Sequence, residues 1–293
     1  MPVSFEDVAA KVEAGLRLED EEIEALASGR DIITLGKLAD AVRRKMHGAT
    51  ATYVRVCDLE ADRQTWPAGP PATAGEVRLF HTPATLAGAT ELATAIRDWA
   101  ATVPFSAFCL FELSKLPDGL PVVLPALKAA GLEVIAQAPL DRLKAPERAL
   151  EALNDAGLQL ARLTIDETPL RAWPDVCREV AAHQRRLQSI RVFAPLARKV
   201  DTTQPTTGYG DVKRVALARL LTDGVDTIQV DWQLYGPKLA QVALMFGADD
   251  IDSVAAVDDE ALGRRRSSIE EVRRNIEAAS LTPVERNGRF APV

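Results

Sequence analysis

The chain has 293 residues and 31.7 kDa, with 47% apolar residues, 26% charged residues and a formal net charge of −7. This composition excludes disordered, collagen-like and disulfide-scaffold classes, and a pI near 5.2 with 5% aromatic residues is poorly suited to holding nucleic acid through its phosphates. No apolar run reaches the ~18–20 residues of a membrane helix, and the start Met1-Pro-Val-Ser-Phe-Glu-Asp7 lacks a basic segment followed by an apolar one, so no membrane contact and a cytoplasmic location are expected.

Apolar residues keep helical spacing through Phe5, Val8, Val12 and Leu16, again over 18–27, and again through Ile33, Leu35, Leu38, Val42 and Met46. Residues 1–50 are therefore read as an N-terminal helical cap, and 51–293 as the main body. From Thr52 onward, β-branched or aromatic runs alternate with helical stretches. Strands are expected at 53–59, 76–82, 106–113, 132–138, 161–166, 189–196, 227–232 and 251–257. Helices are expected at 86–101, 121–130, 146–156, 170–187, 210–222, 237–246 and 269–279, with Ser268 and Glu271 spaced as a capping box for the last. Strands joined by crossover helices imply a parallel sheet, and this number of them implies an α/β fold of the (β/α)₈ TIM-barrel type. Segment 58–75 carries too much Pro and Gly for a helix. The first crossover is thus expected to be a loop, with the barrel distorted or incompletely closed there.

In such a barrel, binding and catalysis belong to the C-terminal ends of the strands. That rule selects Cys57 and Asp58, His81, Glu112, Gln137, Asp166 and Glu167, Arg198 and Lys199, then Asp231, Trp232 and Tyr235. Asp249 and Asp250 precede the last strand, where carboxylates either hold a ligand or cap the turn by bonding backbone amides. The run Arg264, Arg265 and Arg266, beside the acids Asp258, Asp259 and Glu260, is read as solvated surface rather than an anion site. His47, His81 and His183 are too scattered for zinc, and no nucleophile elbow, Walker loop or dinucleotide turn is present. Cys57, Cys109 and Cys177 match neither a disulfide framework nor a compact metal motif, so no metal is expected.

Several stretches resemble the radical S-adenosylmethionine enzymes of the futalosine route to menaquinone, aminofutalosine synthase and dehypoxanthine futalosine cyclase, with the deazaflavin synthase as a further relative. They are 38–48, Phe193-Ala-Pro-Leu196, 207–221, the tail 268–290 and above all Val230-Asp-Trp-Gln-Leu-Tyr-Gly-Pro-Lys238 with its continuation to Asp252. The resemblance implies a radical enzyme on a barrel, with Asp231-Trp232 and Gly236-Pro-Lys238 retained either as a ligand wall or as the packing that closes the barrel. Its departures fall on the radical machinery. The family's Cys-x-x-x-Cys-x-x-Cys loop, whose thiolates hold an iron–sulfur cluster, is reduced here to Cys57 followed by Asp58-Leu-Glu-Ala-Asp-Arg63. The glycines expected after the second and fourth strands are replaced by Phe80-His81-Thr-Pro83 and Gln137-Ala-Pro-Leu140, and the Gly-His after the fifth by Ile165-Asp166. Neither a cluster nor bound S-adenosylmethionine is therefore expected.

Two functions fit these residues. One is a cluster-less paralogue in menaquinone biosynthesis that serves as a non-catalytic partner of a pathway enzyme or binds a small molecule. The other is a non-radical lyase or hydrolase acting on a futalosine-like or aromatic carboxylate compound, with His81, Glu112, Asp166 or Asp231 as acid or base and Arg198, Lys199 or Lys238 holding a carboxylate.

Overall fold

The computed structural model describes residues 5–16, 18–167, 172–199, 206–257 and 268–293. Helices α1 (Phe5–Ala14), α2 (Asp20–Ser28) and α3 (Ile32–His47) lead into β1 (Thr50–Asp58) and β2 (Glu76–Leu79). There follow α4 (Leu86–Ala100), β3 (Phe105–Cys109), α5 (Leu110–Leu113), α6 (Leu120–Ala129), β4 (Val134–Pro139), α7 (Pro146–Asp155), β5 (Gln159–Leu160) and β6 (Leu163–Ile165). The chain continues through α8 (Trp173–Leu187), β7 (Val192–Ala197), α9 (Gly208–Leu221), β8 (Thr227–Asp231), α10 (Trp232–Met245), β9 (Asp250–Ala255), α11 (Ile269–Ala278) and β10 (Thr282–Arg286).

Strands β1, β2, β3, β4, β6, β7, β8 and β9 pair in parallel in that order, and β9 returns to β1, with Thr52 opposite Asp250 and Val56 opposite Ala255. The barrel is closed. The expected gap at the first crossover is absent for a reason that lies at the end of the chain. β1 pairs with β2 only over Val56–Asp58, and the rest of that edge, Thr50 to Val54, is taken by β10. An edge that would expose unpaired backbone groups is thereby satisfied. The crossover is a loop as expected, with one 3₁₀ turn at Arg63–Thr65. Gly75 ends it where a Cβ would lie 2.9 Å from the Arg286 carbonyl oxygen, so only glycine lets the loop pass under β10.

Two other expectations are corrected. The apolar run 106–113 is not one strand: Phe108 adopts φ 68°, β3 ends at Cys109, and Leu110 starts α5. A short apolar run carries no period that separates strand from helix. Trp232 likewise begins α10 rather than ending a strand, because the Asp231 carboxylate accepts the Leu234 N–H and caps the helix, which kinks at Gly236 (φ 73°) before running on to Met245. Ser268 stands at the N-cap of α11 but makes no side-chain cap bond. The 258–260 acids and 264–266 arginines lie outside the described residues.

The main core lies between barrel and helices, with Val77, Leu79, Ile135, Phe193, Ile228 and Val230 pointing out onto Leu92, Ile96, Leu150, Val180 and Val215. A second core joins the N-terminal helices to the flank of the barrel: Val8, Leu26, Leu35 and Leu38 pack on Ala216 and Leu217 of α9. At the N-terminal end of the strands, Asp250 is fully buried and receives Arg286 at 2.6 and 2.7 Å, Gln229 at 2.7 Å and Thr52 at 2.5 Å. Removing one partner of a buried pair leaves the other charge uncompensated. Arg286→Met is expected to lose about 3–5 kcal/mol, and adding Asp250→Leu to restore part of it; the midpoints of urea unfolding measure both.

Candidate functional site

Two of the barrel strands, β2 and β9, alternate charged with apolar residues. Glu76-Val77-Arg78-Leu79 is buried at all four positions, and the register sets Arg78 against Ser106 on one side and Asp58 on the other. Side chains alternate across a strand, so Val77 and Leu79 enter the outer core while Glu76 and Arg78 enter the lumen. Asp231 and Asp252 are likewise paired in register between β8 and β9. Their neighbour Ser253 has φ 57°, and the pairing of β1 with β9 slips at this point. This is a bulge, which turns Ser253 to the same side as Asp252.

A continuous network results. Arg78 donates to Glu76 at 2.8 Å, to both oxygens of Asp252 at 2.8 and 3.2 Å, and to Ser253 Oγ at 3.1 Å. Arg162, just before β6, reaches Asp252 and lies 3.5 Å from Glu76, which also accepts the Ser106 hydroxyl at 2.6 Å. Ser253 Oγ donates to Asp231 at 2.9 Å, and Arg198 approaches Asp231 at 3.3 Å. The ring of Phe80 sits over the network, with the guanidinium carbons of Arg198, Arg78 and Arg162 at 5.4, 5.6 and 6.0 Å from its centre.

Burial by itself would raise the Asp252 carboxyl, but Arg162 and Arg78 beside it hold it well below the usual carboxylate range. Glu76 is lowered in the same way: burial opposes, and Arg78 and Arg162 prevail. Burial and the neighbouring Arg78 lower Arg162, whose Nε has no partner among the described residues. Asp58 behaves differently. It stands at the open end of β1, solvent-exposed and with no hydrogen bond or ion pair among the described residues, yet walled by enough protein that burial raises its carboxyl. Arg78 opposes that rise, and the negative charges of Asp252 and Glu76 add to it.

Sequence reasoning placed Arg198 and Asp231 at the mouth, and they do meet. Asp166 pairs with Lys199 at 3.0 Å on the rim. Gln137 lies on β4 with its side-chain oxygen buried and without a partner among the described residues. Glu112 pairs with Lys115 on the surface at 2.7 Å, and His81 is exposed beyond β2. Tyr235 is half-buried, and its hydroxyl, raised by burial, donates to the Ala197 carbonyl. Trp232 is fully buried in the outer core, and Lys238 is exposed on α10 past the kink. Asp249 and Asp250 belong to the opposite end of the barrel, because both precede or begin β9 rather than follow it. Asp249 is bound there by Arg219 and by the Ile228 N–H at 2.8 Å. Asp249 thus holds the turn, Asp250 is engaged by the side chains of Arg286, Gln229 and Thr52, and both lie away from the mouth.

Glu76, Arg78, Arg162 and Ser253 were missed. Parallel strands covered on both faces read as near-continuous apolar runs, so the polar alternation in Glu-Val-Arg-Leu and Asp-Ile-Asp was the available signal. The three thiols do not converge. Cys57 lies opposite Val77 and so faces the outer core, Cys109 ends β3, and Cys177 is buried on α8; burial raises each. Among the described residues, no three of His, Cys, Asp and Glu are placed to hold a metal ion, and no helix is long and apolar enough to cross a membrane.

No family model matches the chain. It is similar to the aminodeoxyfutalosine synthase of Thermus thermophilus, 25% identical over 84% of this chain and 82% of the relative. It is also similar to the aminodeoxyfutalosine synthase of Streptomyces coelicolor, 36% identical over 30% of this chain and 24% of that protein. A 5-amino-6-(D-ribitylamino)uracil–L-tyrosine 4-hydroxyphenyl transferase of Methanocaldococcus jannaschii is 31% identical over 34% of this chain and 30% of its own length. The last two matches thus span less than a third of those relatives. Among solved structures, methylornithine synthase superposes over 96% of this chain and 97% of its own with a TM-score of 0.67 at 14% identity. The FeFe-hydrogenase maturase HydG from Carboxydothermus hydrogenoformans does so over 96% and 79% with a TM-score of 0.62 at 12% identity. These structural likenesses establish the barrel.

Because the folded Asp252 carboxyl lies below its unfolded value, its stabilisation is complete above the ordinary carboxylate range and is lost as pH falls through that range. Asp252→Asn is expected to be less stable than the parent at neutral pH and to lose stability less steeply between about pH 5 and pH 2. Chemical denaturation across that range gives both slopes.

Proposed function

We propose, from its similarity to the aminodeoxyfutalosine synthases, that the chain is a cluster-less paralogue of the radical S-adenosylmethionine enzymes of the futalosine pathway, whose barrel mouth binds a small molecule, or serves a partner enzyme, in menaquinone biosynthesis. The observation that carries this reading is the filled lumen. Arg78, Arg162, Glu76 and Asp252 are each no more than 3% exposed and neutralise one another in the barrel interior. Buried charges of this kind stay where they are only if all partners remain.

The donor set supports the same reading. A cluster of the family's type needs three thiolates around one loop. This chain has three cysteines, and they stand on β1, β3 and α8, with the first turned toward the outer core. Those residues do not fit such a cluster, and no step of a mechanism is routed through one. What the chain's own residues supply at the mouth is a polar rim: Arg198 with Asp231, Lys199 with Asp166, and the unpaired Asp58. Asp58 also favours the second reading, a non-radical lyase or hydrolase, because an accessible carboxyl raised by burial at the mouth is a candidate proton acceptor or donor.

Anaerobic reconstitution with iron and sulfide, followed by metal analysis and a search for cleavage of S-adenosylmethionine under reducing conditions, tests the proposal. The expected outcome is colourless protein without stoichiometric iron and without cleavage. Iron at cluster stoichiometry together with cleavage overturns it. Turnover of a futalosine-like compound by the iron-free protein selects the non-radical enzyme over the binding protein.

A further inference from the structure

Among the described residues, the charges of the lumen do not balance. Four carboxylates, Glu76, Asp252, Asp231 and Asp58, face three guanidiniums, Arg78, Arg162 and Arg198, within one connected set. The neighbouring ion pairs at the two ends of the barrel, Asp250 with Arg286, Asp249 with Arg219 and Asp166 with Lys199, are neutral in themselves. The excess is therefore one negative charge. It resides on the member with no partner, Asp58, and this is also the member that solvent reaches.

We propose that the mouth above Asp58 receives a small ligand carrying a single cationic nitrogen, such as a protonated amine, with Asp58 as its counter-ion. The inference rests on the reading of the mouth as a binding site and adds the chemical class of what binds there. Three observations converge on it. Asp58 is held in position by its strand, with Arg78 opposite it in register and the Leu59 N–H donating to the Arg78 carbonyl at 2.8 Å, so its carboxylate is a fixed feature of the mouth. The arginines beneath it are already engaged: Arg78 and Arg162 by Glu76 and Asp252, Arg198 by Asp231, and all three around the Phe80 ring. An incoming anion would have to displace those carboxylates and then face Asp58. Finally, Gln137 on β4 carries a buried side-chain oxygen without a donor among the described residues, an acceptor that an ammonium group can satisfy.

An unpaired carboxylate beside Asp252 and Glu76 also has a signature in the free protein. Its folded value is raised, so at neutral pH its charge opposes folding, and the penalty disappears as pH falls below the ordinary carboxylate value. The groups that set this balance are Arg78 and Glu76 on β2, Asp252 on β9 and Arg162 before β6. A carboxylate retained at a cost in stability is the pattern of a binding group rather than a structural one.

The test uses the full chain and Asp58→Asn, with thermal unfolding measured against benzylamine, phenethylamine and putrescine, against neutral benzyl alcohol, and against benzoate. At least one amine is expected to raise the unfolding midpoint of the parent, the alcohol and benzoate are expected not to, and Asp58→Asn is expected to abolish the amine effect. In the absence of any probe, Asp58→Asn should unfold at a higher temperature than the parent at neutral pH and lose that advantage in acid. A midpoint lowered by Asp58→Asn marks a structural carboxylate and overturns the proposal, as does an amine effect that survives the substitution. Stabilisation by benzoate alone overturns the cationic class while leaving a binding mouth in place. No response to any probe overturns the site and favours the partner role. Cluster assembly, measured separately, bears on the paralogue reading alone.

Discussion

The carboxylate of Asp252 stands between the guanidiniums of Arg78 and Arg162, and the interior of the barrel is organised around that contact. Taking either arginine out of water costs several kcal/mol, and the attraction offsets this only when hydrogen bonds satisfy the remaining donors. Glu76 and Ser253 accept from Arg78, and the Ser106 hydroxyl in turn donates to Glu76. The bulge at Ser253 is part of the same solution, since a regular strand would turn that hydroxyl outward and break the link between Arg78 and Asp231. The strands are thus tied across the lumen as well as along their edges, and β10 completes the edge of β1 from which Asp58 and its neighbours project.

That arrangement bears directly on what the protein does. A barrel whose interior is neutralised by its own side chains keeps its chemistry at the mouth, and the residues there divide into paired and unpaired. Asp231 illustrates the first kind. It caps α10, accepts the Ser253 hydroxyl and meets Arg198, so it is as much a structural hinge between β8 and its helix as a ligand wall. Asp58 illustrates the second, being exposed, without a partner and raised by its surroundings. The similarity to aminodeoxyfutalosine synthases and the three thiols' failure to converge are the two findings from which the proposed binding role starts.

Much of the fold was legible because apolar periodicity is a local property. The alternation of short strands with helices of 3.6-residue period identified the barrel, and the Pro- and Gly-rich 58–75 segment identified the loop that replaces the first crossover helix. The errors have local causes too. Leu110-Phe-Glu-Leu113 has too few residues to declare a period, and Trp232 extends an apolar run although the Asp231 cap has already begun a helix. The strand 282–286 went unread because Thr-Pro-Val-Glu-Arg has little apolar signal of its own; it is a strand because the free edge of β1 is there to pair with.

By itself, the sequence determined the alternation of the eight barrel strands with their helices, the absence of a three-cysteine loop, and most of the residues at the strand ends, since all three are read from spacing along the chain. The tertiary structure alone decided which charges meet. Arg78 and Asp252 are 174 residues apart and Arg162 and Asp252 are 90 apart, so their pairing depends on closure of the barrel and on the register of its strands. Only that closure separates Asp249 and Asp250, at the far end, from Asp252 in the lumen and Asp231 at the mouth, and only the count of charges inside it leaves Asp58 without a partner. A sequence lists charges, but the desolvation that makes each pairing obligatory exists only once the strands have enclosed them.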